Sequence, residues 1–272
     1  MTEGPGTDFH SHLIPGVDDG AADLAESRAA VEALRRAGVR TAVTTPHFDG
    51  SLTHAPAMAA ERLAAFDAGF ADLTGDAAVV ASGVRLFRGV ELMLDVPEPD
   101  VSDARLRLNG GRFVLVEYPG LQLPLANADY AIRALRDGGW QPVLAHPERY
   151  RNVDDSLEAL AALRFAGAFF QVNAGSLLGQ HGEGPRRRAS MLLARGWAEY
   201  ASSDYHARGI PAVAAARAEL VASGAGEQAE LLFAENPGRL VRDESPRPVA
   251  PLTASTRNRH SWWRALLHQF SR

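Results

Sequence analysis

The chain has no cysteine and no lysine. Without cysteine there is no disulfide, no thiolate nucleophile and no cysteine-phosphatase chemistry. All 28 basic residues are arginine. A P-loop would lack its Lys, Schiff-base catalysis its amine, and a carbamylated-lysine metal bridge its bridging residue. Ala- and Arg-rich coding accounts for the missing lysine equally well, but the chemical exclusions hold either way. An excess of positive charge is also missing: the net charge is −5, so nothing draws the whole chain to nucleic acid. No apolar run reaches the roughly 20 residues of a membrane span, and no secretory signal opens the sequence, so the expected location is the cytoplasm. What is present is 272 residues with 46% hydrophobic content, enough for one barrel-sized domain.

The periodicity predicts strand, polar tip and helix, repeated. A strand ends at His10. A helix over residues 24–37 follows, with Asp23 as N-cap, Glu26 three positions on, and Gly38 as its stop. Further strands are predicted over 40–45 before Pro46-His47, up to Glu91, over 112–116 before Glu117, over 142–145 before His146, over 168–172 before Asn173, and over 197–201 before residues 202–206. Helices are predicted over 57–73, 127–136 and 157–165. This alternation implies an α/β fold with a mostly parallel sheet. About seven strands favour a closed, distorted barrel, with an open doubly wound sheet as the alternative. The domain is expected to span residues 1–242. Residues 243–272 then read as a proline-broken linker and a short amphipathic tail containing Trp262 and Trp263. The simplest role for that tail is docking on its own domain; a weak membrane-surface contact is the alternative.

His10 and His12 are two apart, so on a strand both imidazoles face one point. Alone, such a pair is equally well two surface histidines. The rest of the chain decides: His10, His12, His47, Glu91, Glu117, His146, Asp204 and His206 all fall at or just after the C-terminal ends of predicted strands, the edge that carries active sites in such folds. Asp19 follows the first strand closely enough to join them. Several carboxylates cannot remain ionised in one cleft without compensating charge. Nine oxygen and nitrogen ligands without sulfur suit two or three divalent cations, with Mn²⁺, Fe²⁺ and Zn²⁺ all acceptable. His54, His181, His260 and His268 do not share the pattern. Arg149, three residues beyond His146, is a bidentate receptor for phosphate, unless it pairs with Glu148. Arg208 is a second candidate. Arg186, Arg187 and Arg188 read as solvated helix surface.

The segments DFHSHLIPGVDDG, AGVRTAVTTPHF, RGVEL, FVLVEY, QPVLAHPERY, FFQVNAGSLLG, SSDYH and LFAENPGRLV resemble the PHP (polymerase and histidinol phosphatase) superfamily. More closely, they are similar to its bacterial manganese-dependent protein-tyrosine phosphatases of capsule and exopolysaccharide clusters. The resemblance covers about residues 7–242. It implies a distorted TIM-like (β/α)7 barrel with a trinuclear metal centre. His10, His12, Asp19, His47, Glu91, Glu117, His146, Asp204 and His206 would supply the metal cluster, with Glu91 as a bridge, and Arg149 would bind phosphate. The sequence departs from the family pattern at Phe48-Asp49-Gly50 and at Ala207, and Arg208 aligns with the family's arginine only across a small gap.

The expected reaction is metal-assisted phosphomonoester hydrolysis, with Arg149 offsetting charge on the phosphoryl oxygens. Asp204 and His206 are candidates both for ligation and for protonating the leaving group. The expected partner is a phosphotyrosine protein, the tail of a capsule-type bacterial tyrosine kinase. A small-molecule phosphatase, such as one acting on histidinol phosphate, is the first alternative. A metal-dependent phosphotyrosine-binding module without turnover is the second.

Overall fold

The structure, a computed structural model, describes residues 6–252. Among them, nine strands form two sheets in which every pair is parallel. The strands are β1 (Gly6–Ser11), β2 (Val39–Thr44), β3 (His47–Asp49), β4 (Arg85–Arg88), β5 (Glu91–Met93), β6 (Phe113–Glu117), β7 (Gln141–Ala145), β8 (Phe169–Asn173) and β9 (Tyr200–Ser202). One sheet has the order β1-β2-β4; the other runs β3-β5-β6-β7-β8-β9. Pro46 interrupts the chain between β2 and β3, because proline offers no N–H to a ladder. Gly89 and Val90 interrupt it between β4 and β5. Pairing crosses both breaks: Gly89 N donates to Thr44 O (3.0 Å) and Glu91 N to Pro46 O (3.1 Å). At the far edge, Ser11 makes a parallel bridge to Tyr205. There His12 N donates to Tyr205 O and Asp204 N to His10 O, both at 2.9 Å.

The helices are those the sequence punctuates. α1 (Leu24–Arg36) starts where Asp23 accepts from Glu26 N and Glu26 accepts from Ala22 N, both at 2.9 Å. This reciprocal capping satisfies N–H groups that the first turn leaves open. It ends at Gly38, whose φ of +87° suits glycine alone. α2 (Pro56–Gly75), α3 (Ala77–Ser82), α4 (Ala128–Asp137), α5 (Glu158–Phe165), α6 (Ala174–Leu177), α7 (Glu183–Ala194) and α8 (Val213–Ala222) follow. α4 buries Ala128, Ala131, Ile132 and Leu135, one helical stripe.

Alternate strand residues serve two hydrophobic clusters. Phe113 and Leu115 of β6 join Phe9, Val43, Val143 and Tyr200, while Val114 and Val116 join the larger core under the helices. The period of two places Glu117 on the face of Phe113 and Leu115. The register of β6 is therefore set by apolar burial, and the same register aims a carboxylate. Truncating a buried Leu such as Leu115 would cost about 2–5 kcal/mol.

The sequence placed the last strand too early. Trp197, expected in β9, closes the turn after α7, its N–H bonded to Leu192 O at 2.9 Å. Residues 243–252, expected to begin a linker, lie along the domain. Asp243 accepts from Arg112 N at 2.6 Å, Leu252 N donates to Leu193 O at 3.1 Å, and Val249 and Leu252 are buried. The stretch around Trp262 and Trp263 lies outside the described residues. No helix among the described residues is long and apolar enough to cross a membrane.

Candidate metal and phosphate site

All nine candidate ligands meet at the C-terminal ends of the strands, in three overlapping groups. His10, His12, Glu91 and Asp204 form one, Glu91, Glu117 and His146 the second, and His12, Asp19, His47 and His206 the third. Glu91 belongs to two groups through its two oxygens. Its Oε2 lies 3.2 Å from His10 Nε2 and 3.5 Å from His12 Nε2, and its Oε1 lies 3.1 Å from His146 Nε2. Asp204 Oδ1 is 3.3 and 3.5 Å from the same nitrogens of His10 and His12. Glu117 reaches His146 Nε2 at 3.2 Å. In the third group, Asp19 Oδ1 is 3.5 Å from His47 Nε2 and 3.3 Å from His206 Nε2.

These separations suit cations. Two atoms each about 2.1 Å from one ion in tetrahedral geometry stand roughly 3.4 Å apart. Moreover, His10 Nε2, His12 Nε2, His47 Nδ1 and Glu91 Oε2 are buried with no hydrogen-bond partner. A buried polar atom left unsatisfied costs about 1–3 kcal/mol. Four of them converging on one point is the arrangement that metal ligation relieves. His146 and Asp204 also hold left-handed backbone, at φ +34° and +53°. Such strain costs about 1–3 kcal/mol each and persists where the surrounding fold over-determines it.

Neighbouring side chains fix the ligands. Gln171 Oε1 lies 3.0 Å from His10 Nδ1, and Asp18 Oδ2 lies 2.7 Å from His12 Nδ1. With Nδ1–H donated in each case, both Nε2 lone pairs face the centre. Asp18 also accepts from His47 N and Gly20 N. Gly20 packs on His12 so closely that a Cβ would stand 2.3 Å from the His12 carbonyl oxygen. Beneath the first strand, buried Asp8 accepts from Ser202 Oγ, Ser203 Oγ and Ser203 N. Asp204 Oδ2 accepts from Arg149 Nη1 at 2.6 Å and Asn173 Nδ2 at 3.1 Å.

The electrostatics show a site that demands positive charge. Burial would lower the histidines and raise the acids, but their mutual attraction outweighs it. His10 and His12 are raised above the ordinary imidazole range, His146 to about 10, while Glu91 and Asp204 are held below the carboxylate range. Asp18 is held to about 2 against its burial by its hydrogen bond to His12. Without metal, protons on the imidazoles are the counter-charge; metal binding displaces them.

Residues 6–242 match the family described as "Capsular polysaccharide synthesis, CpsB/CapC". The chain belongs to this family. It is 31% identical over 207 residues to the tyrosine-protein phosphatase YwqE of Bacillus subtilis (strain 168), covering 73% of this chain and 76% of YwqE. It is 24% identical over 244 residues to the tyrosine-protein phosphatase CpsB of Streptococcus pneumoniae, covering 87% and 98%. Its fold matches a solved chain from work on YwqE and CpsB, described there as "unique metal-dependent tyrosine phosphatases". That match has a TM-score of 0.71 and 25% identity, and covers 91% of this chain and 99% of the other.

Within this CpsB/CapC chain, the arginines sort unevenly. Arg149 reaches the centre and pairs with Asp204, not with Glu148. Glu148 is fully buried and accepts from Asn173 N at 3.0 Å. Arg208 is exposed, with a 3.4 Å contact to Gly20 O beside the Asp19 loop. The expected solvated run Arg186–Arg188 is corrected: it lies on α7, but Arg187 pairs with Asp155 and Arg188 donates to Glu148 O at 2.8 Å, supporting the loop that carries Arg149. Four supporting residues carried no signal in the pattern of strand-end ligands: Asp8, Asp18, Gln171 and Asn173. His181, which lies off the pattern, packs against Ser176 and Gly175, next to Asn173 at the edge of the site. Its ring is in the field of Arg149, Asp204 and His146.

Proposed function

We propose that this site holds two or three divalent cations and hydrolyses phosphotyrosine on a protein. The observation that carries the reading is the set of four partnerless buried ligand atoms beside the partly exposed Arg149 guanidinium. His10, His12, Glu91 and Asp204 would hold one cation, Glu91, Glu117 and His146 a second, and His12, Asp19, His47 and His206 a third. Such cations supply Lewis-acid polarisation of a phosphoryl group and a lowered pKa for the attacking water. Arg149, still about a quarter exposed, offers its remaining N–H donors to the phosphoryl oxygens and offsets charge as it spreads over them. Asp204 accepts from Arg149 and Asn173 and lies beside the His10 and His12 rings, which favours ligation over proton donation; His206 faces Asp19, which favours the same. A tyrosyl phenolate, with a pKa of about 10, leaves with little proton assistance.

Manganese is the cation that the family resemblance leads us to expect; the nitrogen and oxygen ligands, without sulfur, suit iron and zinc equally. The expected substrate is phosphotyrosine on a capsule-type bacterial tyrosine kinase, met in the cytoplasm. The catalytic unit is residues 1–242. We further infer that the two sheets make one distorted seven-stranded barrel, with β2 and β3 counting as one strand and β4 and β5 as another. The bonds across Pro46 and Gly89 and the Ser11–Tyr205 bridge support this closure.

The test is turnover of a phosphotyrosyl peptide by protein loaded with Mn²⁺, before and after EDTA, against histidinol phosphate as competing substrate. The reading expects preference for the peptide, loss of activity with EDTA, and indifference to iodoacetamide. EDTA-resistant turnover, or preference for histidinol phosphate, would contradict it. Bound metal with no turnover of either substrate would favour the binding-module alternative.

A further inference from the structure

We propose that His181 is a second substrate-contacting side chain of this centre, donating a hydrogen bond from Nε2 to the phenolic ester oxygen as it leaves phosphorus. The inference deepens the phosphatase reading and rests on it.

The position of His181 is built by the chain after β8. Asn173 ends the strand and its Nδ2 donates to Asp204 Oδ2, the oxygen that Arg149 also holds. α6 begins at once. Its fully buried Ser176 places Oγ 2.9 Å from His181 Nδ1. The ring lies against Gly175: a Cβ there would stand 3.2 Å from His181 Cε1 and 3.1 Å from Asn173 Oδ1. His181 therefore lies beside Asn173, whose amide meets the same Asp204 oxygen as Arg149. Arg149 is largely covered, whereas His181 is exposed. Among the described residues its Nε2 has no partner.

Two properties fit the ring to the ester oxygen rather than to the phosphoryl oxygens. It is the more exposed of the two side chains, and a tyrosyl group would extend outward from a phosphate held at the metal centre. It is also uncharged near neutral pH: its pKa is lowered from the ordinary imidazole value by the covering of one side of the ring and then by the Arg149 charge. An uncharged donor leaves the anionic phosphoryl oxygens to Arg149. We take the tautomer in which the Ser176 hydroxyl, 2.9 Å away, donates to Nδ1, so that Nε2 carries the proton. In the step itself, the ester P–O bond breaks and its electron pair goes to the phenolate oxygen. Water supplies the oxygen that joins phosphorus, and the proton it loses passes to solvent. His181 keeps its proton throughout. The hydrogen bond strengthens as charge develops, which is the condition for lowering a barrier.

The test uses the full chain loaded with Mn²⁺ and two substrates whose leaving groups differ, a phosphotyrosyl peptide and p-nitrophenyl phosphate. His181→Ala should lower kcat/KM on the peptide about tenfold. On p-nitrophenyl phosphate the loss should stay within about twofold, because nitrophenolate needs little help. His181→Gln, whose amide can donate, should recover part of the peptide loss. Metal content and Tm should match wild type in both variants. Equal losses on the two substrates would overturn the proposal, as would no loss on either. A wild-type protein inactive on both would instead sink the phosphatase reading, and this inference with it.

Discussion

His10, His12, Glu91 and His146 are at most 1% exposed, whereas Asp19, His47 and His206 are 66, 29 and 25% exposed at their side chains. The inner groups are also braced from behind, by Gln171 on His10, by Asp18 on His12, and by Arg149 and Asn173 on Asp204. The outer group depends on one loop-mounted carboxylate reached by two half-buried rings. Preorganised ligands bind a cation without first losing conformational freedom, and loose ones do not. The inner sites should therefore hold their cations tightly, and the outer site should exchange.

The comparison breaks first at Glu91. Glu91→Ala removes an oxygen from both inner groups and leaves His10, His12 and His146 without their shared counter-charge. Activity should fall by more than the roughly 10–100-fold typical of a supporting residue, and elemental analysis should show fewer bound cations. Retained cation content would mean that the inner groups are not the sites. Arg149→Ala should come next, lowering kcat/KM roughly 10–100-fold while leaving the cations in place. Loss of metal in that variant would make Arg149 a brace for Asp204 rather than a phosphate contact.

Asp18 and Asp19 sharpen the same contrast from adjacent positions. Asp18→Asn should weaken total metal affinity about tenfold, because it loosens His12, which belongs to two groups. Asp19→Asn should release one cation at most and leave the inner pair loaded. A larger loss from Asp19 than from Asp18 would reverse the ranking.

A pH series on metal-free protein probes the inner groups alone. His146 is raised from its ordinary value to about 10 against its own burial, by hydrogen bonds to Glu117 and Glu91. A raised folded pKa gives stability that is fully present below the unfolded pKa and lost as pH rises through the folded one. Without metal, Tm should fall between about pH 6.5 and 10. The stabilisation gained on adding Mn²⁺ should grow over the same range, since fewer protons need displacing. A metal-free Tm flat across that window would mean that the imidazoles do not carry the counter-charge.

That the nine candidate ligands would converge was legible because a parallel α/β fold exposes one functional edge, and strand ends can be read from apolar runs. The braces were not legible. Gln171 and Asn173 lie on β8, where an amide gives no metal signal, and Asp18 differs from Asp19 only in which acid turns back to His12. His181 lies off the strand-end pattern because it stands eight positions beyond its strand, after the turn in which Gln180 N donates to Gly175 O at 2.9 Å. The breaks at Pro46 and Gly89 divide two strands that the sequence reads as continuous, since burial pattern shows an apolar run and not its hydrogen bonds. Adjacent residues Glu148 and Arg149 part ways for a similar reason: one side chain closes under α6 while the other opens to the cleft, and only tertiary packing decides.

The smallest effect should come from the C-terminal end, and there the structure moves the informative cut. None of the candidate ligands or phosphate contacts lies beyond Arg208. Removing residues 253–272, including Trp262 and Trp263, should leave peptide turnover within about threefold, a barrier change below roughly 0.7 kcal/mol. Removing residues 246–272 is a different experiment. It also deletes buried Val249 and Leu252, the Leu252–Leu193 bond, and the Arg247 N–H that Asn236 Oδ1 accepts at 2.8 Å. Burying a Val or Leu side chain contributes about 1.5–3 kcal/mol, so the longer deletion should lower Tm clearly while the shorter one leaves it unchanged. Equal Tm for the two would show that residues 246–252 contribute nothing to the domain. A hundredfold loss of turnover from the shorter cut, in protein that still folds and binds metal, would instead put the tail within reach of the catalytic edge.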